Sequence, residues 1–537
     1  MLYPDNFRET SFYAARVQIA YNEAMDFFPH HLLAKPRKVL FISPEAAPFA
    51  KAGGLGEVMF SLPMRLAERG FDARVFMPLY AHIDTEKFRI ETEMDGLMVP
   101  TDAENENEPR ELACNVKKFT PHPTAENHTP VTTYFLQNQE YFELRSNIYG
   151  YADDPVRWAL LSRGVLEFLR RTRNWVPDII VASDWQTGFL VDYLRTTYRD
   201  DPRLKRIPVI FAIHNLYYQG VFDHRFVSEM DFDDGRSPIP SFFDPRLLKL
   251  NMMRRGILHA DLIATVSPTY AKEITTKDYG ELLDGLLRER RSRLYGVLNG
   301  INYDVFNPKT NVNLKRNFDL RSINLRHENK KELQGRLGLN QERRTFLIGI
   351  VSRLTEQKGF DLLFPIADAL LKELKFQLVI LGDGESKYMS FFQELEGRFP
   401  GQVAAHLAFD TAMPHLIYAG ADAILIPSKF EPCGLTQMEA MRYGAVPIAR
   451  RTGGLADSVI DYDPETGHGT GFSFSDFDTM PLMIAVVRAL ESYKNPQAWK
   501  NIERQCMEKD FSWKRSAAEY THLFDVAADL RKRDLAE

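Results

Sequence analysis

Cysteine is scarce: three in 537 residues, Cys114, Cys433 and Cys506. An odd, widely spread set excludes a disulfide framework and predicts a reducing compartment. None falls at C-x-x-C spacing, so no zinc site is implied. Long apolar runs are missing too, and nothing approaches the roughly 18 residues of a membrane span. The first residues, Met1-Leu-Tyr-Pro-Asp5, lack a basic stretch followed by an apolar one, so no secretory leader is expected and the chain reads as cytoplasmic. Positive charge is not in excess. The net charge of −6 gives no bulk attraction to nucleic acid or to an anionic membrane, and neither is expected as a partner.

What the chain does carry is α/β patterning. With 537 residues, 44% apolar and 26% charged, it is too long for one core and has the composition of a soluble globular protein, so two large domains are expected. Lys38 to Ser43 reads as a buried strand, followed by the run Lys51-Ala-Gly-Gly-Leu-Gly56 and a helix near 57–69, with Pro63 a potential kink and Gly70 its stop. A strand over 71–77 completes a βαβ opening with glycine in its first turn, the usual place for phosphate. Residues 97–131 are polar, acidic and dotted with proline, and read as an exposed loop or hairpin. A helix is predicted near 154–172. Strands at 178–182, 209–213 and 261–266 run into Ser183-Asp184-Trp185-Gln186, His214-Asn215 and Ser267-Pro268. Ligands of open α/β sheets bind beyond the carboxyl ends of strands, so the repetition points to one shared cleft.

Turn signals over 297–307 place the interdomain linker near residue 300. The pattern then restarts, with strands at 346–351, 376–381, 403–407 and 421–427 running towards Arg353 and Lys358, Gly382-Asp-Gly384, Phe409 and Glu431. The expected division is an extension at 1–36, domains at 37–300 and 301–505, and a closing helix at 506–537 that crosses back onto the first domain. Within the extension, Thr10 or Ser11 is placed to cap a helix to about Asp26. The fold class is α/β: two Rossmann-like, doubly wound domains facing a central cleft.

The chemistry concentrates between Phe430 and Leu455. Glu431 follows a buried strand, Gly434 marks a tight turn, and Leu435 opens a helix, an arrangement that leaves backbone N–H groups open to an anion. Glu431 and Glu439 bracket that place and suit hydroxyls. A second strand at 445–449 ends in Arg450, Arg451, Gly453 and Gly454. Carboxylates for hydroxyls, with amides and cations for phosphate, describe a sugar-nucleotide pocket. Lys51 with Gly53 and Gly54 offers a diphosphate a mobile charge and close backbone approach, although neither the G-x-G-x-x-G nor the G-K-[ST] pattern is present. Arg353 and Lys358 add a second cation set to the same cleft. Other features have plainer explanations. His214 and Asp184, taken by spacing alone, are ordinary hydrogen-bonding residues at strand ends. Asp231-Phe-Asp233 and Asp461-Tyr-Asp463 are chance matches to D-x-D, so no metal is expected. The basic run 288–293 reads as a solvated helix face, and Cys433 as a small packing residue in the pocket.

Eight motifs stand in order along the chain: KAGGLGEV, SDWQTG, FAIHNLYYQG, TVSPTYAKEI, GVLNGI, VSRLTEQKG, FEPCGLTQ and RRTGGLADSV. Together they resemble bacterial glycogen synthases and plant starch synthases, retaining glucosyltransferases of the two-Rossmann-domain GT-B type, from about Lys38 to the C-terminal helix. The resemblance implies that Lys51, Gly53 and Gly54 contact the glucosyl diphosphate, and that Arg353 and Lys358 neutralise the leaving diphosphate. Glu431 is implied beside the transferred glucose, with backbone amides near Cys433, Gly434, Leu435 and Thr436 on its hydroxyls and a phosphate. His214 would flank the anomeric carbon with Asn215 next to it, and Asp184 would line the cleft. Tyr149 and Phe409 match aromatics near the acceptor sugar and the nucleotide base. Three positions depart from the pattern: Glu57 where Asp is usual, Gln186 where many members have His, and Glu439, which completes an E-x7-E spacing that holds ribose in related transferases. The implied reaction transfers glucose from ADP-glucose to an α-1,4-glucan with no cofactor and no metal. UDP-glucose or a small acceptor is the alternative, and a catalytically silent glucan-binding scaffold the alternative of another class.

Overall fold

The computed structural model describes residues 36–121 and 131–537, so the helix predicted to end near Asp26 lies outside them. The described residues build two sheets. The first holds β1 (Lys38–Ile42), β2 (Asp72–Pro78), β3 (Glu91–Pro100), β4 (Glu111–Phe119), β5 (Thr133–Gln137), β6 (Ile179–Ser183), β7 (Val209–Ile213), β8 (Leu262–Thr265) and β9 (Leu294–Gly296). Its order is β3-β4-β5-β2-β1-β6-β7-β8-β9. The second holds β10 (Leu347–Val351), β11 (Gln377–Leu381), β12 (Val403–His406), β13 (Ala423–Ile426), β14 (Val446–Arg450) and β15 (Phe472–Phe474), in the order β12-β11-β10-β13-β14-β15. Every pairing is parallel except β3 with β4 and β4 with β5. The strands read as unbroken apolar runs because helices cover both faces of a parallel sheet; Val39, Leu40, Phe41 and Ile42 are wholly buried.

The helices that position the site are α1 (Gly54–Glu68), α2 (Asp154–Arg171), α3 (Pro268–Glu273), α4 (Thr436–Arg442), α5 (Gly453–Ser458) and α6 (Trp513–Asp534). The second sheet has the doubly wound order with its reversal between β10 and β13; the first repeats it with the reversal between β1 and β6. Such a reversal opens a crevice at the carboxyl ends of the two strands, and that is where ligands of this architecture dock.

Two sequence expectations need correction. Residues 97–131 contain a hairpin, one of the two expectations, but it is not simply exposed. Their first part completes an antiparallel hairpin on the edge of the first sheet, burying Leu97, Val99, Cys114 and Val116, and Asp102 pairs with Arg163 of α2. The interleaved acidic residues concealed an alternating, half-buried pattern. The basic run 288–293 is a solvated face only in part: Arg288 and Arg291 are exposed, but Arg290 donates to the Ala260 carbonyl, and Arg293 grips Asp534 of α6 through two bonds of 2.7 Å. Sequence spacing could not foresee a partner 241 residues away.

That ion pair is one of several ties between α6 and the first sheet's layer. Arg37 pairs with Asp525 at 2.5 Å, Ser516 donates to the Leu298 carbonyl at 2.6 Å, and the Phe71 and Phe524 rings meet edge-on at 5.7 Å. A second set of ties joins the lobes behind the cleft. Asp457 of α5 accepts from the Thr269 backbone N–H (2.8 Å) and hydroxyl (2.6 Å), at the start of α3. In return, Glu273 at the end of α3 accepts from the Gly453 N–H (3.0 Å) and the Thr452 hydroxyl (3.2 Å), at the start of α5. Each lobe supplies the carboxylate that satisfies a helix start in the other.

Candidate active site

A cleft of about 770 Å³ runs between the lobes, and both reversal points empty into it. From the first lobe come Glu45 and the glycine turn after β1, Asp184 and Gln186 after β6, and His214 and Asn215 after β7; from the second come Arg353 and Lys358 after β10 and Glu431 to Leu435 after β13.

Sequence reasoning missed Glu45. It is 3% exposed, and its Oε2 accepts from the backbone N–H groups of Ala52 (2.5 Å) and Gly53 (3.0 Å), while Oε1 accepts from the Tyr149 hydroxyl (3.1 Å). Two amides of the glycine turn are thus held by the protein's own carboxylate. The signal was available, because Glu45 follows a strand's carboxyl end just as Asp184 does. Lys51 projects from the same turn, half exposed, with its Nζ 3.1 Å from Glu57, which also accepts from Ser61 at 3.0 Å. The departure from Asp at this position therefore has a defined contact: Glu57 steadies Lys51.

Asp184 adopts a left-handed backbone (φ +58°), a strained conformation for a residue with a side chain. Its Oδ1 accepts from the backbone N–H groups of His214 (2.7 Å) and Asn215 (3.3 Å). Burial pushes its carboxyl up to about 7, against the pull of those two amides. Burial also pushes His214 down to about 4, so the ring is neutral at pH 7. The Asn215 side chain closes a local turn by accepting from the Tyr217 N–H at 3.1 Å. Among the described residues His214 Nε2, Gln186 Oε1 and Asn299 Oδ1 are buried without a protein partner, and all three residues line the cleft. Buried polar atoms are ordinarily paired, so this cluster matches a ligand rich in hydroxyls.

In the second lobe Lys358 Nζ lies 2.6 Å from Glu431 Oε2, which also accepts from the Ser428 hydroxyl at 2.9 Å. The expected phosphate contact and the expected sugar-side carboxylate are therefore joined in one ion pair. Gly434 takes φ +66°, and no side chain caps α4, whose first residue is Thr436. Gly454 allows α5 to pack against this turn, since a Cβ there would come within 1.9 Å of the Cys433 carbonyl. Burial raises the Cys433 thiol to about 12, which leaves it protonated and not a nucleophile. Arg353 is exposed on the cleft wall.

Two expected contacts stand apart from this cluster. Phe409 is 86% exposed and lies outside the cleft lining. Glu439 is turned to the Tyr418 hydroxyl, which donates to it at 2.9 Å; burial pushes its carboxyl up to about 7, and the Lys51 charge acts in the opposite sense. The two D-x-D triplets have protein partners: Asp233 pairs with Arg255 (2.7 Å), Asp231 with Lys249, Asp461 with Arg488 (3.0 Å), and Asp463 closes a turn. Among the described residues no group of three or more His, Cys, Asp or Glu is arranged to hold a metal ion, and no helix is long and apolar enough to cross a membrane.

Two doubly wound domains with one cleft at their reversal points define a GT-B glycosyltransferase. Residues 38–289 match the starch synthase catalytic domain, and residues 329–505 match glycosyl transferases group 1. The glycogen synthase of Desulforudis audaxviator is 41% identical over 506 residues, spanning 92% of this chain and 97% of that one. That of Clostridium beijerinckii is 41% identical over 494 residues, spanning 91% and 98%. The catalytic domain of starch synthase IV from Arabidopsis thaliana, bound to ADP and acarbose, superimposes with a TM-score of 0.77 at 32% identity, covering 92% of this chain and all of that one. The chain belongs to the glycogen and starch synthase family of glycosyltransferases.

Proposed function

We propose that the protein transfers glucose from ADP-glucose to the nonreducing 4-hydroxyl of an α-1,4-glucan, with retention of configuration and without a metal. One observation carries this reading: Arg353 and Lys358 line the cleft from the second lobe with Glu431 at its wall, opposite the Ala52–Gly54 turn of the first lobe, next to which Lys51 projects half exposed. A diphosphate leaves as an oxocarbenium-like sugar forms, and these cations stabilise the departing anion. Glu431, tied to Lys358, lies between the phosphate side and the sugar side. The neutral His214 presents its carbonyl and ring to the anomeric centre without adding charge there. Asp184 is a positioning residue: it binds the amides of His214 and Asn215 and so fixes that strand end. The departing phosphate oxygen is the base for the incoming hydroxyl. Cysteines 114, 433 and 506 take no part. The choice of ADP is supported by the Arabidopsis relative, whose structure contains ADP.

The test is glucose incorporation into glycogen from ADP-glucose and from UDP-glucose, side by side, with and without excess chelator. Faster transfer from ADP-glucose, undiminished by chelator, is the expected result. Preference for UDP-glucose would overturn the choice of ADP-glucose as donor. Loss that magnesium restores would overturn the metal-free mechanism.

A further inference from the structure

A cavity of about 500 Å³, sharing no residue with the cleft, lies where the chain crosses between the lobes. The outward crossing, near Ile301, and the returning one, near Phe511, run side by side. The Ile301 N–H donates to the Phe511 carbonyl at 2.8 Å, the Phe511 N–H to the Tyr303 hydroxyl at 2.8 Å, and that hydroxyl to the Lys509 carbonyl at 3.2 Å. We propose that this cavity binds a small phosphate-bearing anion, and that the bound anion holds the lobes in the arrangement seen here and so tightens donor binding. The donor half of the inference rests on the transferase reading above; the binding half does not.

The charges at the wall are unequally committed. Three carboxylates are engaged: Asp304 with Arg65 at 3.4 Å, Glu508 with Arg504 at 3.8 Å, and Asp510 with the Ser512 N–H at 2.8 Å. Three cations have no carboxylate partner among the described residues, namely Arg442, Lys509 and Lys514. Arg442 lies flat over the Tyr303 ring at 4.2 Å and reaches only the Phe306 carbonyl, at 3.4 Å. Lys509 is half-buried, and burial, with Arg515 beside it, lowers its ammonium. An unpaired cation taken out of water is costly, and an anion in the cavity would offset that cost. The returning crossing also opens α6 here, with Trp513 and Lys514 in its first turn and no side-chain cap on that turn. Trp513 is 2% exposed, and its Nε1 has no protein partner. A long helix start, an unpartnered N–H donor and three uncommitted cations around one cavity suit a phosphate group.

The position explains the coupling. α1 begins beside the first lobe's glycine turn and carries Arg65 of the cavity wall in its last turn; α4 begins beside the Gly434 turn and ends in Arg442. One ligand therefore meets the far ends of two helices whose near ends border the cleft. Arg442 moves with the second lobe, while Lys514 belongs to α6, which is tied to the first. An anion held between them prefers one separation of the lobes, and a ligand shifts an equilibrium by that preference.

The experiment titrates inorganic phosphate and glycerol 3-phosphate into the full chain by calorimetry, comparing Lys509→Gln, Lys514→Glu and the cleft variant Arg353→Gln. Each lysine variant should raise the Kd roughly ten-fold, the worth of one charge-assisted bond, while Arg353→Gln keeps the binding. Lys514 is exposed, so its variant should melt with the unaltered chain. Tighter glycerol 3-phosphate would assign Asp304 and Asp510 to ligand hydroxyls; equal affinities would assign the cavity to phosphate itself. Filling the cavity should lower the ADP Kd by roughly five-fold relative to Lys514→Glu, and ADP should tighten the phosphate by the same factor. Competition in the cleft raises the ADP Kd in both chains, so the difference between them isolates the cavity. Binding that Arg353→Gln abolishes and both lysine variants keep would place the anion in the cleft alone and overturn the proposal. An ADP Kd that responds alike in both chains would overturn the hold on the lobes. Failure to transfer glucose would refute the transferase reading instead, and phosphate titration of the lysine variants would still decide the cavity.

Discussion

Each lobe sends a glycine turn and a helix start into the cleft, and the two are finished differently. In the first, Glu45 occupies the amides of Ala52 and Gly53 and is itself held by Tyr149, so the turn before α1 is fixed from within. Neither α1 nor α4 has a side-chain cap, so the difference lies in the preceding turn: in the second lobe the carboxylate there, Glu431, is committed to Lys358 and Ser428. A buried N–H without a partner is costly, so a turn must be satisfied by its own chain, by water or by a ligand. The contrast teaches a division of labour. The first lobe presents a rigid platform with one mobile cation, Lys51, while the second presents amides and paired charges that a donor can reorganise.

The largest test of that contrast is Lys51→Ala. If Lys51 is the first lobe's contribution to the leaving diphosphate, turnover should fall by on the order of 10²–10³, comparable to losing one preorganised donor. ADP release at saturating donor measures it, and a rate near that of the unaltered enzyme would reduce the first lobe to scaffold. Next comes Glu45→Gln, which replaces an acceptor of two amides with a side chain half donor. Weakening one part-buried bond to the turn should cost about 0.5–1.5 kcal/mol of stability and raise the donor KM more than it lowers kcat. An unchanged melting temperature together with an unchanged KM would sink the idea of a self-filled turn.

Much of this was legible beforehand, for a definite reason. Buried parallel strands announce themselves as short apolar runs, and residues just past their carboxyl ends fall near the reversal points by topology, which is why Arg353 and Glu431 could be named; Asp184 and His214, plain by spacing alone, needed the family resemblance. What escaped notice depends on partners distant in sequence. Glu45 looked like one more loop residue until its amides were located; Arg293 needed α6; the β3–β4 hairpin hid its buried residues among acids.

The reciprocal caps behind the cleft offer a smaller test, because they couple the two turns under comparison: α5 packs on the Cys433 turn and is capped by Glu273 of the first lobe. Glu273→Gln and Asp457→Asn should each cost about 0.5–2 kcal/mol, the range of a lost helix cap. The donor KM should rise a few-fold as closed lobes become less populated. An unaltered radius of gyration by X-ray scattering and an unaltered KM in the double variant would show that the caps hold nothing that the rest of the interface does not.

The smallest expected effect sharpens the comparison through pH. Glu439 sits on α4, and burial raises its folded carboxyl from the ordinary range near 4 to about 7. An acid whose folded value is raised contributes stability that is full below its unfolded value and is lost as pH climbs through the folded one. Asp184, raised by burial to the same value, acts in the same direction. The protein should therefore lose stability between roughly pH 4 and pH 7 on account of both groups. Glu439→Gln stays neutral throughout and still accepts from Tyr418, so it should flatten that decline without removing it. Melting temperatures at pH 5 and pH 8 test this: the variant and the unaltered chain should agree at the lower pH, with the variant the more stable at the higher. An identical drop in both would mean that Glu439 is ionised in the folded protein across the range, held so by Lys51, which also acts to lower its value. The two turns would then be linked electrostatically across the cleft, and the first lobe's mobile cation would already be serving the second.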